Sequence, residues 1–159
     1  MEIENKVIVV TGGSGGIGQA LATSFIHEKA KVVIVLDINF DNFDSGSDKL
    51  ISKVCDVTNE KELNKIIDEI NNDFGLIDIF CSNAGILSLG NEQTSREDWN
   101  KNWNLHVMSH VFAAKKLIPE MLKRGSGYFV NTSSAAGLLS HIDSVTYSTT
   151  KHAAIGFAE

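Results

Sequence analysis

Lys6 to Val10 is a short, almost wholly apolar run rich in β-branched residues, and glycines follow it at once. A run without alternation is what a strand buried on both faces shows, so a parallel sheet covered by helices is implied. From Ile17 the apolar residues Ile17, Leu21 and Phe25 recur at helical spacing, before a second apolar run at Val32 to Leu36. The pattern predicts strand, helix, strand. A third strand is expected over Leu50 to Val57, and Asn59 with Glu62 makes a capping-box-like start to a helix. Leu63, Ile66, Ile67, Ile70 and Phe74 share one face of that helix, and Gly75 ends it. Leu76 to Cys81 reads as strand four. A box at Thr94 and Glu97 opens a long helix through Trp99, Trp103, Val107 and Val111 towards Pro119, and Gly127 to Thr132 reads as strand five. Strands alternating with helices place the chain in the α/β class as a doubly wound parallel sheet, because parallel neighbours need a crossover that covers the sheet.

The chain has 159 residues, 43% of them hydrophobic and 21% charged, the composition of one ordinary globular domain. A net charge of -6, with 14 Lys and Arg that nowhere cluster, argues against nucleic acid and anionic membrane as partners. Cys55 and Cys81 have no metal-like or redox spacing and read as buried free thiols in a reducing compartment. The amino terminus is acidic where a secretory leader would be basic, and no stretch approaches membrane-spanning length, so a cytoplasmic location is expected. The Asn131-Thr132-Ser133 sequon reads as accidental in that setting.

Thr11-Gly-Gly-Ser-Gly-Gly-Ile-Gly18 joins the first strand to the first helix, so its amides face an anion beside the positive end of the helix dipole. A dinucleotide pyrophosphate suits that turn, with Gly12 allowing the tight bend, Gly16 close approach of the cofactor, and Gly18 close helix packing. Ser14 and Ile17 belong to the same set. A glycine motif alone is weak, and the test is an acid about 20 residues on at a strand end. Asp37 meets it: its carboxylate would accept from the adenosine ribose hydroxyls and repel the extra phosphate of NADP, and Ile38 to Asp48 holds no Lys or Arg. NAD is therefore the expected cofactor. Gly12-x-Ser14-x-Gly16 also spells a hydrolase nucleophile elbow, but on the first strand and with no convincing Asp then His behind it. A phosphate-binding P-loop fails because Gln19 stands where the Lys must be.

Tyr147-Ser-Thr-Thr-Lys151 has i, i+4 spacing, which on a helix sets both side chains on one face. An ammonium beside a phenol favours the phenolate, so Tyr147 could take a proton from an alcohol or give one to a carbonyl oxygen. His106 and His110 are also four apart, but no third ligand or metal motif accompanies them, and no metal site is expected. Trp99 and Trp103 read as packing or subunit-contact residues.

Taken in order, TGGSGGIG, the Asp37 strand end, Cys-Asp56-Val, Asn83-Ala-Gly85, Asn104, the Asn-Thr-Ser-Ser134 strand end and Tyr147-x-x-x-Lys151 resemble the short-chain dehydrogenase/reductase family over almost the whole chain. The resemblance implies a Rossmann-like sheet of order 3-2-1-4-5 and hydride transfer between NAD(H) and an alcohol or carbonyl substrate. It implies Tyr147 as acid/base, Lys151 as the residue that tunes it and binds the nicotinamide ribose, and Ser134 as the donor to the substrate oxygen. Ser134 is preferred to Ser133 because its interval to Tyr147 matches the family. Asn104 resembles the asparagine that holds a water in the proton relay, Asp56 and Val57 the adenine contacts, and Asn83, Ala84 and Gly85 a cofactor-side turn. A homodimer or homotetramer is implied as well.

Two features depart from the family. The chain stops at Glu159, inside the tyrosine-bearing helix, so residues 1–159 are expected to be a single but C-terminally incomplete NAD-binding domain, weakly active by itself. The interval from Asp37 to Asp56 is short and polar, so the crossover helix there is expected to be reduced or lost. The rival functions are epimerisation or dehydration on the same scaffold, and a non-catalytic dinucleotide-binding module.

Overall fold

The computed structural model describes residues 2–41, 43 and 45–159. Strands β1 (Val7–Thr11), β2 (Val32–Asp37), β3 (Leu50–Val54), β4 (Ile79–Ser82) and β5 (Tyr128–Asn131) form one sheet in the order β3-β2-β1-β4-β5. All its pairings are parallel, with Val9 opposite both Ile34 and Phe80. This is the doubly wound parallel arrangement that the alternation implied, in the Rossmann-like order that the resemblance implied.

The unpatterned runs have a direct cause. Val7, Val9, Ile34, Leu36 and Phe80 face one layer, built on α2 (Glu60–Phe74) and α4 (Ser109–Arg124), where Leu63, Ile67, Ile70, Leu117 and Met121 meet them. Ile8, Val10, Val33, Val35 and Cys81 face the other layer, built on α1 (Gly16–His27) through Ala22, Leu21 and Phe25. Each fully buried aliphatic side chain contributes about 1.5–3 kcal/mol, so covering both faces is what holds the sheet together. Ile17 does not share the buried face of α1, being 65% exposed at its mouth.

Several boundaries move. β3 ends at Val54 because, as the outermost strand, it alternates in burial and leaves Val54 exposed. No helix links β2 to β3 among the described residues; instead Phe40 and Phe43 meet edge-on, centroids 5.2 Å apart, and pack on the α1 side of the sheet. Asn59 caps α2 by accepting from the Lys61 and Glu62 amides, but the Glu62 carboxylate takes the Asp56 amide rather than that of Asn59.

The long helix differs most. Its N-cap box lies one residue later than Thr94 and Glu97: Ser95 accepts from the Asp98 amide and donates to the Asp98 carboxylate, because the Thr94 hydroxyl closes the preceding turn on the Asn91 carbonyl. α3 (Arg96–Trp103) then passes through a π-helical turn (Asn104–Met108) into α4, which runs through Pro119 to a left-handed Gly125. The wider turn rotates the register, so that Trp103 is 42% exposed while Asn102 and His106 are buried. A short 3-10 turn (Ala135–Gly137) and α5 (Val145–Ala158) complete the fold. No described helix is long and apolar enough to cross a membrane.

Candidate active site

A cavity of about 760 Å³ runs along the carboxyl ends of the strands and is lined by Gly12, Ser14, Gly15, Ile17, Gly18, Asp37, Asp56, Val57, Asn83, Ala84, Gly85, Asn104, Tyr147 and Lys151. That volume is within the range of small-molecule and cofactor sites, about 300–1,000 Å³. Of the residues read in the sequence as catalytic or cofactor-binding, Gly16 and Ser134 alone are absent from its wall.

The turn after β1 is built for close approach. Gly12 sits at φ 64°, and a Cβ there would come within 2.8 Å of the Ala84 Cα. At Gly18 a Cβ would lie 2.1 Å from the Gly12 carbonyl oxygen, so α1 leaves the turn with no room to spare. Gly15 and Gly16 face open space, and Gly16, at φ 54°, makes the bend behind the wall. The N-terminus of α1 has no side-chain cap and no acid in its first turn, leaving its amides to an outside anion. A pyrophosphate fits this cradle.

Asp37 closes the turn from the β2 side, accepting from the Ser14 amide at 3.0 Å and the Ser14 hydroxyl at 2.7 Å. Beyond it, Asp56 accepts from the Thr58 amide and hydroxyl in a local turn, and Val57 is buried beside it. Cys55, also in the wall, has its thiol pushed up to about 12 by burial; Cys81 in β4 is pushed up to about 12 for the same reason. Both thiols are free, buried and inert.

Asn83 lines the cavity and also ties the strand ends together. Its Nδ2 donates to the carbonyls of Thr11 and Gly12, and its Oδ1 accepts from the Thr132 hydroxyl. The Thr11 hydroxyl accepts from the Asn83 and Ala84 amides. Thr11 and Thr132 were not singled out in the sequence, and a threonine at each strand end is the signal that was there.

At the other end α5 presents Tyr147 and Lys151 together, as the i, i+4 spacing requires. The ammonium is 5.9 Å from the phenol ring centroid, donates to the Thr132 carbonyl at 3.0 Å, and is 3% exposed. Burial lowers the Lys151 pKa from its ordinary value. The serines divide differently from the sequence expectation. Ser133 lines the cavity and Ser134 does not; the Ser134 hydroxyl accepts from the Ala136 amide at 3.2 Å and caps the 3-10 turn, the local role expected of Ser133. Ser133 donates at 3.5 Å to the Lys151 carbonyl. The reason is the tight 3-10 turn, whose first free amide needs an acceptor at position 134.

Asn104 reaches the wall but is exposed, and its side chain makes no hydrogen bond among the described residues. The residue that the π turn aims inward is His106. It is fully buried, with its ring edge-on to that of Tyr147 at 5.5 Å between centroids. His110, one turn on, is 2% exposed. Burial first, and then the Lys151 ammonium, lower both imidazoles to about 4. Among the described residues no three His, Cys, Asp or Glu side chains are grouped to hold a metal ion.

This sheet order, with a glycine turn opening α1 and a tyrosine and lysine on α5 in one cavity, is that of a dinucleotide-binding dehydrogenase scaffold. The chain belongs to the short chain dehydrogenase family, whose model matches residues 6–159. It is 34% identical to an uncharacterized oxidoreductase of Thermotoga maritima over 98% of this chain and 64% of that protein. The structure of Thermoplasma acidophilum aldohexose dehydrogenase in ligand-free form is 35% identical at a TM-score of 0.88, covering 98% of this chain and 59% of that one. A short chain dehydrogenase/reductase from Burkholderia phymatum, solved in complex with NAD, is 26% identical at a TM-score of 0.91, covering 99% of this chain and 59% of that one. The chain thus spans about two thirds or less of the length of these relatives.

Proposed function

We propose that this chain is the cofactor-binding and catalytic portion of an oxidoreductase that moves a hydride between NAD(H) and an alcohol or carbonyl substrate. The observation that carries the reading is the meeting, in one cavity, of an uncapped glycine-rich helix start and the Tyr147 and Lys151 pair. A nicotinamide nucleotide, when bound, supplies a carbon that takes or gives the hydride. The chain's residues do the rest. Gly12 to Gly18 hold a pyrophosphate, and Tyr147 takes the hydroxyl proton of an alcohol or returns it to a carbonyl oxygen. Lys151, fixed on the Thr132 carbonyl, keeps a positive charge beside that phenol. Ser134, which accepts from the Ala136 amide, retains its own proton for donation to the substrate oxygen.

Asp37 supports NAD over NADP, because its carboxylate stands where the added phosphate would arrive and Lys and Arg are absent from positions 38 to 48. The exposed Trp103, Ile118 and Leu122 on α3 and α4 support a self-associating surface, and so a dimer or tetramer of the full-length protein. The test is the absorbance of reduced nicotinamide during incubation of the full-length protein with a panel of alcohols and ketones and either NAD(H) or NADP(H). Turnover preferring NAD is expected, and Tyr147→Phe should lower kcat by about 10²–10⁴-fold while leaving NAD affinity unchanged. Isomerised or dehydrated product without net cofactor reduction would favour an epimerase or dehydratase. Activity in the cell that survives Tyr147→Phe would favour a binding module.

A further inference from the structure

Behind the cavity, against Ile86 and Tyr147 of its wall, lies a buried side chain that the proposed chemistry leaves unused. His106 is held on every side: the Ile86 amide donates to Nε2 at 3.1 Å, Nδ1 lies 2.9 Å from the Thr150 hydroxyl, and the Tyr147 ring stands edge-on to it with planes at 83°. An amide N–H is only a donor, so Nε2 must offer a lone pair. The ring proton is then on Nδ1 and is given to the Thr150 oxygen. The Thr150 hydroxyl gives its own proton to the Thr146 carbonyl at 2.8 Å. One backbone amide therefore sets the tautomer of the imidazole and the direction of the whole chain of bonds. Gly85 lies alongside, where a Cβ would meet Nε2 at 3.4 Å and the Lys151 ammonium at 3.6 Å, both ordinary contact distances.

We propose that His106 is a positioning residue for Tyr147: a neutral imidazole that ties the loop after β4, at Ile86, to α5, at Thr150, and so fixes the phenol between its own ring and Lys151. The proposal rests on the dehydrogenase reading of this cavity. Without the tie the phenol ring is free to tilt away from the reacting oxygen, and the Ile86 amide loses its acceptor in a half-buried loop. Protonation of Nε2 would break the tie, because it would set a donor against the Ile86 N–H. The titratable groups around the ring are Lys151 and Tyr147 from α5 and His110 from α4, with Lys101 of α3 in the same cavity wall. The nearby ammonium opposes a second positive charge.

Two measurements on the full-length protein test this. Nitrogen–proton correlation spectra, with the His106 signal assigned by its loss in His106→Gln, should show the Nδ1–H tautomer, neutral from pH 8 down to about pH 5. An Nε2–H tautomer or an imidazolium at pH 6 overturns the proposal. In steady-state assays His106→Leu should lose about ten- to a hundredfold in kcat, with KM and NAD affinity within about twofold. His106→Gln, whose amide reaches as far as Nε2, should recover part of that loss, whereas His106→Asn, which reaches only as far as Nδ1, should not. Should His106→Leu fail to fold, the Gln and Asn pair decides, and equal kcat in both overturns the proposal. Wild-type protein that turns over no alcohol or carbonyl refutes the dehydrogenase reading, and the spectra still decide how His106 is held.

Discussion

Gly18→Ala is the substitution whose cost the structure states most directly. The added methyl would lie 2.1 Å from the Gly12 carbonyl oxygen, 2.8 Å from the carbon of that group, and 2.7 Å from the Asn83 amide nitrogen. Two of those three atoms are backbone, so a rotamer change cannot relieve them. The turn must open, and it carries away the Asn83 bonds to Thr11 and Gly12. Overpacking against side chains costs about 1–3 kcal/mol, and a contact on main chain belongs at the top of that range, near 3 kcal/mol. Gly15→Ala is the matched control, because a Cβ there meets nothing within 4 Å and the residue is in extended backbone. Its cost should be no more than about 1 kcal/mol, that of alanine in place of glycine at a helix N-cap. Yet that methyl enters the cavity wall where a pyrophosphate would lie, so NAD affinity should fall in both variants. Urea titrations followed by circular dichroism, with equal m-values, read the first difference, and calorimetric NAD titration reads the second. If Gly18→Ala unfolds within 1 kcal/mol of wild type at an unchanged m-value, the steric reasoning about the turn is wrong.

Two further outcomes follow from the same geometry. His106 and His110 are held near 4 in the folded chain against an ordinary 6.5. Their folded values lie below the unfolded ones, so their contribution is complete above about pH 6.5 and is lost as pH falls through 4. At about 1.4 kcal/mol per pH unit the gap is worth roughly 3 kcal/mol for each ring, and urea midpoints measured between pH 7 and pH 4.5 should fall less steeply in His110→Leu than in wild type. For the two serines, Ser134→Ala should lower kcat by about 10²-fold or more while Ser133→Ala stays within about threefold, in the same steady-state assay. The reverse order would make Ser133, the one that lines the cavity, the donor.

The strands were legible because burial on both faces leaves a mark, an apolar run without alternation, that side-chain chemistry alone determines; their order in the sheet came from the family resemblance. The Tyr147 and Lys151 pair was legible because it depends on a short spacing along one helix, and Asp37 because it ends the strand that follows the glycine turn; Asp56 came from the family resemblance. His106 was not. Its pairing with His110 at helical spacing suggested a metal or nothing, and only the π turn at Asn104–Met108 reveals that it turns towards α5. A single added residue in a helical turn has no composition of its own, so the same turn hid which of Asn104 and His106 would be buried. The capping of the 3-10 turn by Ser134, and the shift of the helix box from Thr94 to Ser95, have a similar origin: neighbouring hydroxyls compete for one free amide, and the winner is chosen by a tight turn that residue type does not encode.

The bonds around Asn83 form an unbroken route. From the Gly12 carbonyl it runs through the Asn83 carboxamide to the Thr132 hydroxyl, and from the Thr132 carbonyl to the Lys151 ammonium. The glycine-rich mouth of α1 and the Tyr147 and Lys151 end of α5 are therefore lashed together across the tips of β1, β4 and β5. Neither end can drift without the other, so on the proposed reading the distance from the phosphate seat to the cation and phenol is set before any nucleotide arrives.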